Sequence, residues 1–303
     1  MAEIGFVGLG NMGRPMAGRL IAAGHAVRGF DVAAPARAAA EAAGIPMAGD
    51  LAAAAAGAGA VFTMLPAGDD VRAVYCGPGG LLASAESGTL LVDCSTIDLE
   101  TARAVHEEAR DSGFAMLDAP VSGGVGGAEA GTLTFMVGGS ADAAARGEPL
   151  MAAMGRNIVH AGGPGNGQAA KMCNNMVLGV SMIAVSEAFT LAERVGLDAQ
   201  TLFDIVSTAS GQCWSLTNYC PVPGPVPSSP ANRDYRAGFT AAMMLKDLRL
   251  ARGAAQANGA NTPLGSHAAA LYEQYCADGE EGSDFSGIVR MLRGERQAPP
   301  ASG

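Results

Sequence analysis

The sequence predicts an α/β chain in two parts, an N-terminal domain built on a doubly wound, mainly parallel sheet and an all-α C-terminal domain. Three observations carry this: an apolar strand running into a glycine-rich turn at residues 3–13, alternation of strand-like and helix-like segments to about residue 162, and a long proline-free helical stretch after it. Sustained alternation specifies parallel strands covered by helices on both faces, with ligands gathering at the strands' carboxyl ends.

The first element reads EIGFVGLGNMG, so Gly8, Leu9, Gly10, Asn11, Met12 and Gly13 form the turn between strand and helix. Gly8 permits a tight turn, Gly10 lets backbone approach a pyrophosphate, and Gly13 lets the new helix pack close to the sheet. The helix start then offers unpaired N–H groups to phosphates. A second strand, HAVRGFD at 25–31, places Asp31 at its carboxyl end, eighteen residues after Gly13. A carboxylate there accepts from ribose hydroxyls and repels a 2′-phosphate, which points to NAD rather than NADP, although Arg28 and Arg37 stand close enough to oppose that preference. In a chain with 43 glycines a lone G-x-G-x-x-G is often only a loop. Strand, helix and acid at the right spacing make this one a Rossmann-type dinucleotide site.

Further strand-like segments follow at 59–66, 89–95, 114–120, 133–139 and 157–162, with alanine-rich helical stretches such as 69–75, 98–111 and 140–153 between them. The charge-free stretch 51–68 is broken by Gly57, Gly59 and Pro66, so it reads as helix, turn and buried strand rather than a membrane span. The pattern changes after GGPGNGQ at 162–168, where residues 169–195 form one helix of about 25 residues, roughly 40 Å long. Helical segments at 198–209, 240–257 and 263–276 come next, with no strand among them. The domains are therefore drawn at 1–162 and 163–303. Residues 208–232 carry no charge and contain Pro221, Pro223, Pro225, Pro227 and Pro230, which predicts an extended, functional loop.

Nineteen basic against twenty-nine acidic residues give a net charge of −10 without any basic cluster, which argues against nucleic acid or a membrane as partner. The first strand begins by residue 3, leaving no room for a leader, so a cytoplasmic location is expected. Six scattered cysteines with no C-x-x-C and no histidine at ligand spacing predict free thiols and no metal.

The chemistry is sought at the strand ends MLP (64–66), DCST (93–96) and DAPVSGG (118–124). Ser122 offers a hydroxyl, and Gly123 and Gly124 leave N–H groups open to an anion such as a carboxylate. Taken alone, these read equally well as plain turns. On the long helix, Lys171 and Asn175 are four residues apart and share a face that Leu178 and Met182 continue. Spacing alone favours a surface lysine with an extended stem. A desolvated one has its pKa lowered toward neutrality, as proton exchange with an alcohol requires.

Taken together, GFVGLGNMGRPMA, the DVAAP after the second strand, DAPVSGG with GTLTFMVGG, and GNGQAAKMCNN resemble the β-hydroxyacid dehydrogenases, the 3-hydroxyisobutyrate dehydrogenase branch in particular, in order along the chain. The resemblance implies a helical domain like that of 6-phosphogluconate dehydrogenases. It implies that Lys171 is catalytic, that Asn175 positions the substrate hydroxyl, and that Ser122, Gly123 and Gly124 hold the substrate carboxylate. Leu65, Pro66 and Thr96 would line the cofactor site, and Lys246, in KDL at 246–248, would reach it from the second domain. The run Lys171, Met172, Cys173, Asn174, Asn175 lacks the histidine that the sugar-phosphate enzymes carry before the asparagine, and SGQCWSLTNYCPVPG with GFTAAMMLKDLRLA is similar to the hydroxyisobutyrate enzymes. Trp214 and Phe239 then become candidates for a wall around a substrate methyl, with ordinary core the competing reading for Trp214. Cys220 stands where a polar residue is expected, which would alter the pocket. The implied activity is NAD-dependent oxidation of (S)-3-hydroxyisobutyrate to methylmalonate semialdehyde in valine degradation, by a homodimer or homotetramer. The alternatives are NAD(P)H-dependent reduction of tartronate, succinic or glyoxylic semialdehyde, and a non-catalytic dinucleotide-binding module.

Overall fold

The computed structural model describes residues 1–295; the last eight positions of the expected second domain, 296–303, lie outside the described residues. The chain divides into two compact units at Lys171/Met172, inside the long helix rather than before it.

The first unit is a single sheet of β1 (Glu3–Val7), β2 (Ala26–Phe30), β3 (Ala60–Thr63), β4 (Leu90–Asp93), β5 (Ala115–Asp118), β6 (Val121–Ser122), β7 (Leu133–Gly139) and β8 (Gly155–Gly162). Its order is β2-β1-β3-β4-β5-β7-β6, with β8 on β7. The first five strands are parallel, whereas β7 runs antiparallel to β5 and β6. From β1 the chain steps outward to β2 and then returns past β1 to β3, so the strand order reverses between β1 and β3. Ligands of open α/β sheets bind beyond the carboxyl ends of the strands at such a reversal.

Two-residue periodicity explains why both faces are covered. In β3, Ala60 and Phe62 join one apolar cluster while Val61 joins the other. Leu90 and Val92 against Leu91, and Leu117 against Met116, repeat the division in β4 and β5. Phe6 and Phe62, paired across β1 and β3, stack with centroids 6.1 Å apart.

Among its described residues the second unit contains no strand, only an isolated bridge between Thr240 and Asp284. The long helix covers Asn166–Arg194, starting three residues before the expected position. It is the one described helix long and apolar enough to cross a membrane by length and composition, and 44% of that window is buried. Met182 and Ile183 pack with Met244, Leu248 and Tyr272, and Val185 and Phe189 pack with Leu216, Cys220 and Val289, so core contacts account for part of the apolar character of this helix, while Val177 and Leu191 are exposed.

The proline-rich stretch departs from the expected extended loop. It contains a helical turn at Trp214–Thr217 and a 3-10 turn at Pro230–Arg233. Tyr235 donates its hydroxyl to the Pro221 carbonyl, Ser229 to that of Cys220, and Asn232 its amide to that of Val226. Cys220 is fully buried in the apolar cluster, where burial pushes its thiol up to about 11, so it acts as a small core residue rather than a pocket polar group.

One buried carboxyl makes the first unit's stability depend on pH. Asp93 is 1% exposed, and burial raises its pKa against the lowering effect of its bonds from Ser95 and Thr63. An acid with a folded-state pKa above its unfolded value of about 3.9 contributes fully only below that value, and the contribution is lost as pH rises through the folded pKa. In parallel urea titrations, the unfolding free energy of the wild type relative to Asp93→Asn should therefore fall as pH is raised from about 4. A difference that stays flat with pH would contradict this account.

Candidate active site

The residues expected to hold a dinucleotide lie at adjoining strand ends. Gly8 follows β1 with φ of 88°, and a Cβ there would stand 2.3 Å from the Met64 carbonyl oxygen. At Gly13 an added Cβ would approach the Gly8 oxygen to 1.9 Å, which is why the helix Gly13–Ala22 can start so near the sheet. Gly10 differs, since no atom lies within 4 Å of its Cβ position. The backbone there faces open space, and the helix start has no side-chain cap. Phosphate oxygens fit both features: room to approach and N–H groups to meet. Leu9 is buried beneath this turn, while Asn11 is exposed and Met12 half-buried.

Asp31 directly follows β2, with both carboxylate oxygens engaged. Oδ2 accepts the Leu9 N–H at 2.7 Å and Oδ1 the Ala33 N–H at 2.8 Å. Arg37 donates to the backbone carbonyls of Asp31 and Val32, whereas Arg28 turns away to the Ala56 carbonyl and lies 3.9 Å from Glu3. Of the two arginines weighed from sequence, only Arg37 stays beside the acid.

Leu65 and Pro66 follow β3, and Thr96 follows β4. A relay joins these two loops: Leu65 N–H donates to Ser95 Oγ at 2.8 Å, and Ser95 Oγ donates to Asp93 Oδ1 at 2.6 Å. Thr63 Oγ1 donates to the same carboxylate at 2.7 Å.

Ser122 lies on β6, a two-residue strand paired with Thr134, rather than in a bare turn after β5. Gly123 takes φ of 133° and caps the helix Gly124–Ala130. Ser122 therefore stands two residues before the start of a short helix.

Lys171 is 7% exposed, so it is not an extended surface lysine. The turn before it is anchored by Gln168, whose Oε1 accepts Ile97 N–H at 3.1 Å and whose Nε2 donates to the Ser95 carbonyl at 2.7 Å. Asp118, closing β5, accepts from Gly165 N–H, Gln168 N–H and His106 Nε2 at 2.9, 2.9 and 3.0 Å. The sequence reading named neither Asp118 nor Gln168 as a functional residue. Their position inside the DAPVSGG and GNGQAAK runs was the available signal.

In the second unit, Asn175 is 1% exposed, donates Nδ2 to Asp247 Oδ2 and accepts from Asn174 at 2.9 Å. Asp247 neighbours Lys246, whose Nζ lies 3.9 Å from its Oδ1. Trp214, half exposed, stacks on Tyr219 at 5.1 Å, Tyr219 on Phe285 at 5.3 Å, and Phe239 meets Phe285 edge-on at 5.6 Å. Tyr219 donates to Asp284, and burial together with that carboxylate raises its pKa. Among the described residues no group of three His, Cys, Asp or Glu side chains is arranged to hold a metal.

Residues 3–162 match the family model for the NAD binding domain of 6-phosphogluconate dehydrogenase, and residues 165–292 match that for the NAD-binding region of NADP-dependent 3-hydroxyisobutyrate dehydrogenase. A probable 3-hydroxyisobutyrate dehydrogenase of Mycobacterium tuberculosis is 51% identical, over 98% of this chain and 100% of that protein. The chain belongs to the 3-hydroxyisobutyrate dehydrogenase family. A solved structure of the M. tuberculosis 3-hydroxyisobutyrate dehydrogenase with L-serine has a TM-score of 0.91 at 51% identity, covering 97% of this chain and 99% of that one. An NAD-dependent L-serine dehydrogenase of Pseudomonas aeruginosa is 48% identical over 96% of this chain and 98% of its own length. This chain is an NAD-dependent oxidoreductase, with a Rossmann sheet followed by a helical part.

If Asp31 holds the ribose as the sequence reading expects, Asp31→Ala should weaken NADH at least about tenfold, because ribose acceptors and the restraint on Leu9 disappear together, and it should narrow the preference over NADPH. Fluorescence titration with both nucleotides measures it. Equal affinities before and after would assign cofactor choice elsewhere.

Proposed function

We propose that the chain oxidises (S)-3-hydroxyisobutyrate to methylmalonate semialdehyde, a step of valine degradation, with Lys171 as general acid–base. The observation that carries this reading is the burial of Lys171 on the helix face it shares with Asn175. Burial works against the ammonium form, and a neutral amine is what an alcohol proton needs as acceptor. The M. tuberculosis dehydrogenase named for this substrate, similar in both sequence and structure, supports the choice of hydroxy acid.

In this reading Gly8–Gly13, Asp31, Leu65, Pro66 and Thr96 hold the dinucleotide. Bound NAD supplies the hydride acceptor at nicotinamide C4. Ser122 Oγ and the N–H groups of Gly123 and Gly124 bind the substrate carboxylate and fix the carbinol relative to Lys171. Its Nζ takes the hydroxyl proton as the carbon–oxygen double bond forms. In the reverse direction the ammonium returns the proton to the carbonyl oxygen. Orientation of so short a substrate contributes much of the acceleration, and proton transfer about 10²–10⁴-fold. The same reading places the enzyme in the cytoplasm as a homodimer or homotetramer, for which the exposed Val177 and Leu191 on the long helix offer apolar surface.

A second reading is oxidation of L-serine. It is favoured by the 48% identical relative named for that activity and by the L-serine in the similar solved structure. L-Serine carries the same primary carbinol two bonds from a carboxylate, with an ammonium in place of the methyl.

Replacing Lys171 by Ala should leave NADH affinity within about threefold while kcat falls about 10²–10⁴-fold. Wild-type turnover in that variant would remove its assigned role. A steady-state panel of 3-hydroxyisobutyrate, L-serine and the tartronate, succinic and glyoxylic semialdehyde couples ranks the substrates by kcat/KM. A higher value for L-serine reverses the order of the two readings, and no NADH formation with any of them leaves a binding module.

A further inference from the structure

A helix that begins with a reactive lysine in its second turn needs its first turn held, because the first N–H groups of any helix have no intrahelical partner. Here that turn is held by a residue about 50 positions earlier in the chain. Asp118 Oδ1 accepts the N–H of Gly165, the residue before the helix, and Oδ2 accepts that of Gln168, both at 2.9 Å. The carboxylate therefore acts as an N-terminal cap delivered by the end of β5, with its charge set against the positive end of the helix dipole.

The cap is built to be rigid. Asp118 is 1% exposed, and His106, 6% exposed, donates to Oδ1 at 3.0 Å, so the buried carboxylate is satisfied from three sides. Two glycines let the backbone close around it. A Cβ at Gly138 would stand 2.4 Å from Asp118 Oδ1, and one at Gly167 would stand 2.4 Å from the carbonyl oxygens of Asp118 and Met136. Gln168, fully buried, adds a second anchor through Ile97 and Ser95 beyond β4. Lys171 follows Gln168 by three residues, one turn up the same side of the helix.

We propose that Asp118, with His106 behind it and Gln168 beside it, is a positioning residue for Lys171, registering the lysine against the loop that carries Ser122. The proposal rests on the reading of Lys171 as the acid–base group. Ser122 follows Asp118 by four residues, so one carboxylate ties the start of the carboxylate-binding loop to the start of the lysine helix. A shift of about 1 Å between reacting groups can cost about 10²-fold in rate, which sets the scale of the effect.

The test is Asp118→Asn, which keeps the shape but turns an NH₂ group toward at least one of three donors. Turnover is expressed per NADH-binding site, so that misfolded protein does not enter. We expect kcat to fall about 10–100-fold, with KM for 3-hydroxyisobutyrate and the NADH dissociation constant within about threefold. Gln168→Met, which removes both side-chain bonds and keeps the backbone bond to Asp118, should show the same split. In the Lys171→Ala background, Asp118→Asn should change the residual rate less than about twofold, because a residue acting through Lys171 has nothing left to position. The proposal is overturned by kcat within about twofold of the parent in Asp118→Asn, by an equal factor with and without Lys171, or by loss of NADH binding in both variants, which would make the pair a support of the domain alone. Full activity of Lys171→Ala by itself would remove the acid–base reading. Collapse of that variant beside a normal Asp118→Asn would remove only the positioning role.

Discussion

Three parallel strands of the sheet, β2, β4 and β5, run into an aspartate at their carboxyl ends, and the rest of the first unit is arranged around those three carboxylates. Both faces of the sheet are covered by apolar side chains, so the strand ends are where its polar groups gather. Asp31 fastens the glycine turn, Asp93 the loops after β3 and β4, and Asp118 the start of the long helix. A buried carboxylate is costly unless its lone pairs are met by donors. Apart from the His106 ring on Asp118 and the Thr63 hydroxyl on Asp93, the donors are backbone N–H groups and a hydroxyl of the loops beside the candidate site residues, so satisfying the carboxylates and shaping those loops go together.

The second unit uses the same device without a sheet. Asp284, fully buried, accepts from the Tyr219 hydroxyl, from the N–H groups of Gly238 and Phe239, and from Ser286. One carboxylate thus fixes the segment that enters the helix Ala241–Ala257 and the ring of Tyr219, on which Trp214 stacks. The aromatic run is packed edge and face rather than scattered, which gives an otherwise uncharged stretch a defined shape.

Much of this was legible in the sequence, because periodic and glycine-dependent features are written locally. The turn at Gly8–Gly13, the strands through β5 and the long helix follow from spacing, and i, i+4 geometry puts Lys171 and Asn175 on one helix face, whereas spacing alone favours a surface lysine and only the family resemblance singles Lys171 out. Ser122 on β6 was not legible: a two-residue strand has no period, and it exists because β7 turns back to pair with it. The proline-rich stretch misled for a related reason. Proline forbids helix interior but permits first turns, and side-chain bonds from Ser229, Asn232 and Tyr235 to distant carbonyls organise the remainder. The anchors Asp118 and Gln168 act across 47 to 73 residues of sequence, and pattern reading over short windows has no access to that distance.

The double engagement of Asp31 bears on how a chain like this one could change its cofactor. In the proposed cofactor assignment, the acid set against the ribose is also the acceptor for Leu9 N–H, inside the turn assigned to the pyrophosphate. Selectivity at one end of the dinucleotide and grip on its middle are therefore written in one side chain. Exchanging that side chain for one that welcomes a 2′-phosphate loosens the turn at the same stroke, so a successful re-engineering must supply a new partner for Leu9 before it supplies a new cation. Lineages that swap nucleotides would be expected to cross that gap by paired substitutions rather than by one.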